Sequence, residues 1–156
     1  MRFIGRYDTI PKEGCSNTYV YQQDYGFLRD DKLLIIAPEG TTTDGASIPR
    51  FMWRLVGHPL YSNNKFWSAP HDCLYSKCAI VIDCGRSDSM TPEAMFMYWR
   101  DLSAHHFLHQ CEFSKRFADE TLLQAMKACN EPRLKQFAVY RSVRLFGRGW
   151  WAKKKR

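Results

Sequence analysis

The sequence predicts an α+β fold, a small N-terminal antiparallel β-sheet followed by a helical half. The first third alternates β-branched and aromatic residues between turn signals. From Pro49 onward, helix caps and apolar residues at helical spacing replace that pattern. In 156 residues, 45% hydrophobic and 25% charged side chains suit one folded domain spanning 1–156 with its own core.

Three segments read as strands: Arg2–Ile10, Tyr19–Gln23 and Lys32–Ala37. Pro11-Lys12-Glu13-Gly14 and Asp30-Asp31 are the turns between them, and Pro38-Glu39-Gly40 ends the third. A polar loop, Gly40–Ser47, leads into a short helix over Pro49–Val56, with Ser47 as its cap and Gly57 as its stop. Trp67–Lys77 reads as a helix with Pro70 in its first turn, and Asp83–Met90 as a loop. Thr91-Pro92-Glu93-Ala94 starts a helix that continues to about His109. Ser114 caps the next, which runs to about Cys129 and stops before Asn130-Glu131-Pro132. The last helix, Arg133–Phe146, ends at Gly147 and Gly149.

The formal charge of +7 is unevenly placed. Arg133 to Arg156 holds nine Lys or Arg and no Asp or Glu, whereas residues 1–132 hold fourteen basic and sixteen acidic side chains. The basic character therefore belongs to the last helix and a tail, 150–156, with Trp150, Trp151, Lys153, Lys154, Lys155 and Arg156. For that tail, nucleic-acid phosphates, an anionic lipid surface and simple solvation are the competing readings. No apolar run is long enough to span a membrane, and the N-terminus lacks the apolar region of a signal peptide. The six cysteines, at 15, 73, 78, 84, 111 and 129, are therefore expected as free thiols.

Three motifs carry chemistry. Thr43-Asp44-Gly45-Ala46-Ser47 places a carboxylate and a hydroxyl on a loop entering a helix, where turn formation and capping are the structural alternative. His71-Asp72-Cys73-Leu74-Tyr75 puts His71 and Tyr75 on one helical face, with a histidine able to act as a base near neutral pH. Arg116-Phe117-Ala118-Asp119 sets a carboxylate beside an apolar face made by Ala118, Leu122, Leu123 and Met126, within reach of His71 on a neighbouring helix. His105-His106-x-x-His109-x-Cys111 invites a metal reading, but flanking Phe107 and Phe113 favour packing.

Together these motifs resemble the domain of unknown function 1353 family. The resemblance runs through Ile36-Ala37-Pro38-Glu39-Gly40, Thr43 to Arg50, Trp53, His71-Asp72-x-Leu74-Tyr75, Arg116-x-Ala118-Asp119 and Tyr140-x-x-Val143-Arg144-x-x-Gly147. That family is found largely in bacteriophages and prophages. The resemblance implies a compact fold, a phage origin, and a site shared by Asp44, Ser47, His71, Asp72, Tyr75 and Asp119; for a phage protein, expression in the host bacterial cytoplasm and association with the virion or envelope are the matching expectations. It also marks Ser76–Phe113 as an atypical insertion carrying its own helix. The His-Asp helix alone is similar to the active-site helix of secreted phospholipases A2, where the His activates water, the adjacent Asp helps hold calcium, and a distant Asp orients the His. The calcium loop and disulfides of those enzymes are missing, so the likeness serves as a mechanism template.

The resulting expectation is a hydrolase acting on envelope material such as lipid or peptidoglycan. Its catalytic set is His71, Asp119, Asp72 and Ser47. Asp44 and Tyr75 bind substrate, or Asp44 and Asp72 hold a divalent cation, the one candidate cofactor. The rival is a non-catalytic virion, tail or host-interaction protein in which the same residues form a buried polar network.

Overall fold

The structure, a computed structural model, describes residues 1–15, 18–43, 64–86, 88–102 and 113–147. Asp44, Ser47, the 49–56 helix, the His105–Cys111 cluster and the tail from 150 lie outside the described residues. The fold is α+β. One antiparallel sheet has the order β1-β4-β5-β7, formed by Arg2–Ile4, Tyr25–Leu28, Leu33–Ala37 and Ile80–Asp83. A second, smaller antiparallel sheet has the order β2-β3-β6, formed by Thr9–Pro11, Tyr19–Tyr21 and Thr42–Thr43. The helices are α1 (Asn64–Tyr75), α2 (Pro92–Met97), α3 (Trp99–Leu102), α4 (Lys115–Ala128) and α5 (Arg133–Phe146).

Strand β5 explains the layering. Its run Leu33-Leu34-Ile35-Ile36-Ala37 is apolar without alternation because both faces of the sheet are covered. Leu34 and Ile36 pack with Ile82, Met95 and Phe96 on the α2 side. Ile35 packs with Leu74, Tyr75, Val81 and Ala118 on the side of α1 and α4. Phe27, also on that side, joins Trp67, Leu122, Ala125, Met126, Val139 and Val143, which brings in α5.

Several elements differ from the sequence reading for local reasons. The expected strand Arg2–Ile10 is two strands in different sheets. It breaks at Gly5, whose φ of +82° suits glycine and where a side chain would strike the Phe96 ring. Strand β4 was hidden by Gly26, a weak strand former, which leaves a notch filled by that same ring. Helix α1 starts three residues before Trp67, so Pro70 sits inside it rather than in its first turn. The long helix expected from Thr91 to His109 is broken at Tyr98 into α2 and α3. Within 76–113, where a helix and a loop are expected, Ile80–Asp83 forms β7 and pairs antiparallel with β5.

Other expectations match closely. Thr91 and Ser114 each accept a hydrogen bond from the backbone N–H three residues on, as N-caps do. Helix α5 spans Arg133–Phe146 as read, although its cap residue, Pro132, offers no side-chain hydrogen bond. Cys15, Cys73, Cys84 and Cys129 are free thiols. Among the described residues, no helix is long and apolar enough to cross a membrane.

Candidate functional site

Helix α1 is buried along almost its whole length, lying between strand β5 and helix α4. Polar side chains on it are therefore forced to find partners within the protein. His71 and Asp72 do so with residues from two other elements, β6 and α4.

His71 is 2% exposed. Its Nε2 lies 3.5 Å from Asp119 Oδ1 on α4, and its Nδ1 lies 3.4 Å from Asp72 Oδ1. The Nε2 contact is an ion-pair distance without hydrogen-bond geometry, and Nε2 has no hydrogen-bond partner among the described residues. The Tyr75 ring, one turn along α1, lies 4.1 Å from the imidazole, centre to centre. Asp72 Oδ2 accepts a 2.7 Å hydrogen bond from the Thr43 hydroxyl at the end of β6.

Asp119 is the hub. Fully buried, it accepts 2.7 Å bonds from the Tyr75 hydroxyl on Oδ1 and from Lys115 Nζ on Oδ2. Arg144 of α5 adds a third bond at 3.2 Å to Oδ2. Lys115 also donates to the Val143 carbonyl at 2.9 Å, tying α4 to α5. Gly147 stands behind this cluster. A Cβ there would strike the Val143 carbonyl and come within 2.7 Å of the Tyr75 hydroxyl and 3.1 Å of the Lys115 side chain, so only glycine leaves room for all three.

The charges shift one another's proton affinity. Burial pushes the Asp119 carboxyl up, but His71, Lys115 and Tyr75 outweigh it and hold it at about 2. Burial also pulls His71 toward its neutral form, but the Asp119 and Asp72 carboxylates overcome that and raise it above its ordinary 6.5. Burial, then Asp119, pushes the Tyr75 phenol far up, so it stays a donor.

The structure thus brings together His71, Asp72, Tyr75 and Asp119 from the expected set. Asp119 is not the exposed, dipole-favoured carboxylate that its helix position alone would suggest. Thr43, Lys115, Arg144 and Gly147 join these residues at the site beyond the expected set. Lys115 and Asp119 stand four apart on α4, the spacing of a helical ion pair, and that signal was available. Arg144 and Gly147 were in the motif at the end of α5, but only the fold shows what they meet. Among the described residues no group of three His, Cys, Asp or Glu side chains is arranged to hold a metal ion.

A family model covers residues 19–143, most of the chain and every residue of this cluster except Arg144 and Gly147. The chain belongs to the family described as protein of unknown function (DUF1353). Within that DUF1353 match, the His-Asp helix, the Ala-Asp helix and most of α5 form one connected unit around Asp119. No curated protein and no solved structure matches the chain.

Proposed function

We propose that this protein is a hydrolase in which His71 is the general base and Asp119 the carboxylate that orients it. One observation carries the reading: Asp119 faces His71 Nε2 while Tyr75, Lys115 and Arg144 hold it from its other sides. The ring hydrogen bond, from Nδ1 to Asp72 Oδ1, keeps the proton of the neutral imidazole on Nδ1, while Asp119 stands at the other nitrogen. The lone pair then falls on Nε2. Above its raised midpoint, where the ring is neutral, His71 Nε2 takes a proton from water, the water oxygen attacks the substrate, and the imidazolium is stabilised by Asp119. The same proton then passes to the leaving group.

In this reading Asp72 positions the substrate with Tyr75, and Asp44 and Ser47, which follow Thr43 in the sequence, are the further residues it calls on. A divalent cation at Asp44 and Asp72 is tested by adding calcium, magnesium or zinc to the assay. The occurrence of the resembled family largely in bacteriophages and prophages supports the remainder. The protein is then phage-encoded, made in the host cytoplasm, and directed at envelope lipid or peptidoglycan or at other phage proteins.

A second reading rests on the 2% exposure of His71. There the cluster is a clamp that joins β6, α1, α4 and α5 in a non-catalytic virion, tail or host-interaction protein. Incubation with bacterial phospholipid and with purified peptidoglycan separates the two. The hydrolase releases fatty acid or soluble fragments, and His71→Gln lowers that release by roughly 10²–10⁴ while the protein stays folded. Absence of release by the wild-type protein on both materials, with or without added cations, overturns the hydrolytic reading and leaves the clamp.

A further inference from the structure

Helix α5 is apolar on two faces. Val139 and Val143 enter the core with Trp67 and Met126. On the opposite side, Leu134, Phe137, Arg141 and Leu145 follow one another at three- and four-residue spacing and form a single outward stripe. Leu134 is 79%, Phe137 59% and Leu145 67% exposed. A helix that needs only one apolar face for its core carries a second one into solvent.

The charge around this stripe is of one sign. Arg133 precedes it, and the Arg141 guanidinium lies over the Phe137 ring at 5.3 Å. From Arg133 to the C-terminus the chain has nine Lys or Arg and no carboxylate side chain, including Lys153-Lys154-Lys155-Arg156 after two tryptophans. Apolar side chains flanked by Arg133 and Arg141 match the boundary between acyl chains and anionic headgroups. The cations meet the headgroups while leucine and phenylalanine enter the acyl edge.

We propose that the outer face of α5 docks this protein on an anionic lipid surface. The inference stands apart from the hydrolytic reading, because it uses no residue of the His71 cluster. The test is co-sedimentation with vesicles of equal parts phosphatidylglycerol and phosphatidylcholine, and with pure phosphatidylcholine. The full chain binds the mixed vesicles, binds the neutral ones far more weakly, and is released by salt. The double variant Phe137→Ser, Leu145→Ser changes only exposed side chains and keeps its melting temperature, yet binds about tenfold or more weakly. Arg133→Gln with Arg141→Gln also weakens binding and flattens its salt dependence, and His71→Gln leaves binding intact. Failure of the wild-type chain to bind the mixed vesicles overturns the proposal. So does full binding by the Phe137/Leu145 variant, or a dimer in sedimentation equilibrium that this variant abolishes. A DNA duplex that binds where vesicles do not overturns it as well.

Discussion

The two faces of the central sheet solve burial differently. On the α2 face, Leu34, Ile36, Ile82, Met95 and Phe96 form an apolar layer, with Phe96 seated in the notches left by Gly5 and Gly26. On the α1 and α4 face, the apolar layer is crossed by a seam of buried His71, Asp72, Thr43 and Asp119. The first face shows that this sheet can be covered without buried charge. The seam is therefore not a requirement of covering a sheet. Buried ion pairs are weak sources of net stability compared with packed apolar groups. What the seam supplies is a fixed geometry around one imidazole.

Substitutions on the two faces sharpen that contrast. Phe96→Ala empties two glycine notches and costs about 4 kcal/mol in urea unfolding, but leaves the His71 environment unchanged. Asp119→Asn strands Lys115 and Arg144 beside a neutral amide and costs about 3 kcal/mol, and it lowers the His71 titration midpoint as well. Gly147→Ala strikes the Val143 carbonyl, crowds the Tyr75 hydroxyl and the Lys115 stem, and costs about 2 kcal/mol, with loss of the Tyr75–Asp119 bond seen in the tyrosine's ultraviolet spectrum. Tyr75→Phe removes one hydrogen bond to a charged acceptor and costs about 1.5 kcal/mol, while His71 stays in place.

The seam also makes stability depend on pH in two windows. Asp119 is held below its ordinary 3.8, at about 2, so its contribution is present above pH 3.8 and is lost as pH falls toward 2. His71 is held above 6.5, so its contribution is present below 6.5 and is lost as pH rises through the raised value. Melting temperature followed across pH falls at both ends, and the fall on the alkaline side disappears in His71→Gln. Persistence of that alkaline fall in the variant would assign it to other groups.

Much of this was legible in the sequence where a local rule decides. Thr91, Ser114 and the Arg133–Phe146 helix follow from capping and periodicity, and β5 from its apolar run. The misread elements depend on distant partners. The break at Gly5 and the strand through Gly26 make sense only once Phe96, some seventy to ninety residues later, is seen to fill the space above them. Strand β7 exists because β5 offers it an edge. At the site, His71, Asp72, Tyr75 and Asp119 were recognisable by type, spacing and resemblance. Arg144 reaches the same carboxylate only because α5 folds back along α4.

The claim on which the account turns is that two carboxylates hold the buried His71 in its charged form more firmly than water does. A titration of the His71 ring nitrogens by nitrogen-15 NMR in the wild-type protein measures this directly. The account predicts a midpoint above 6.5, with the Nδ1 proton the last to leave. A midpoint below 6.5, set by burial alone, would contradict it.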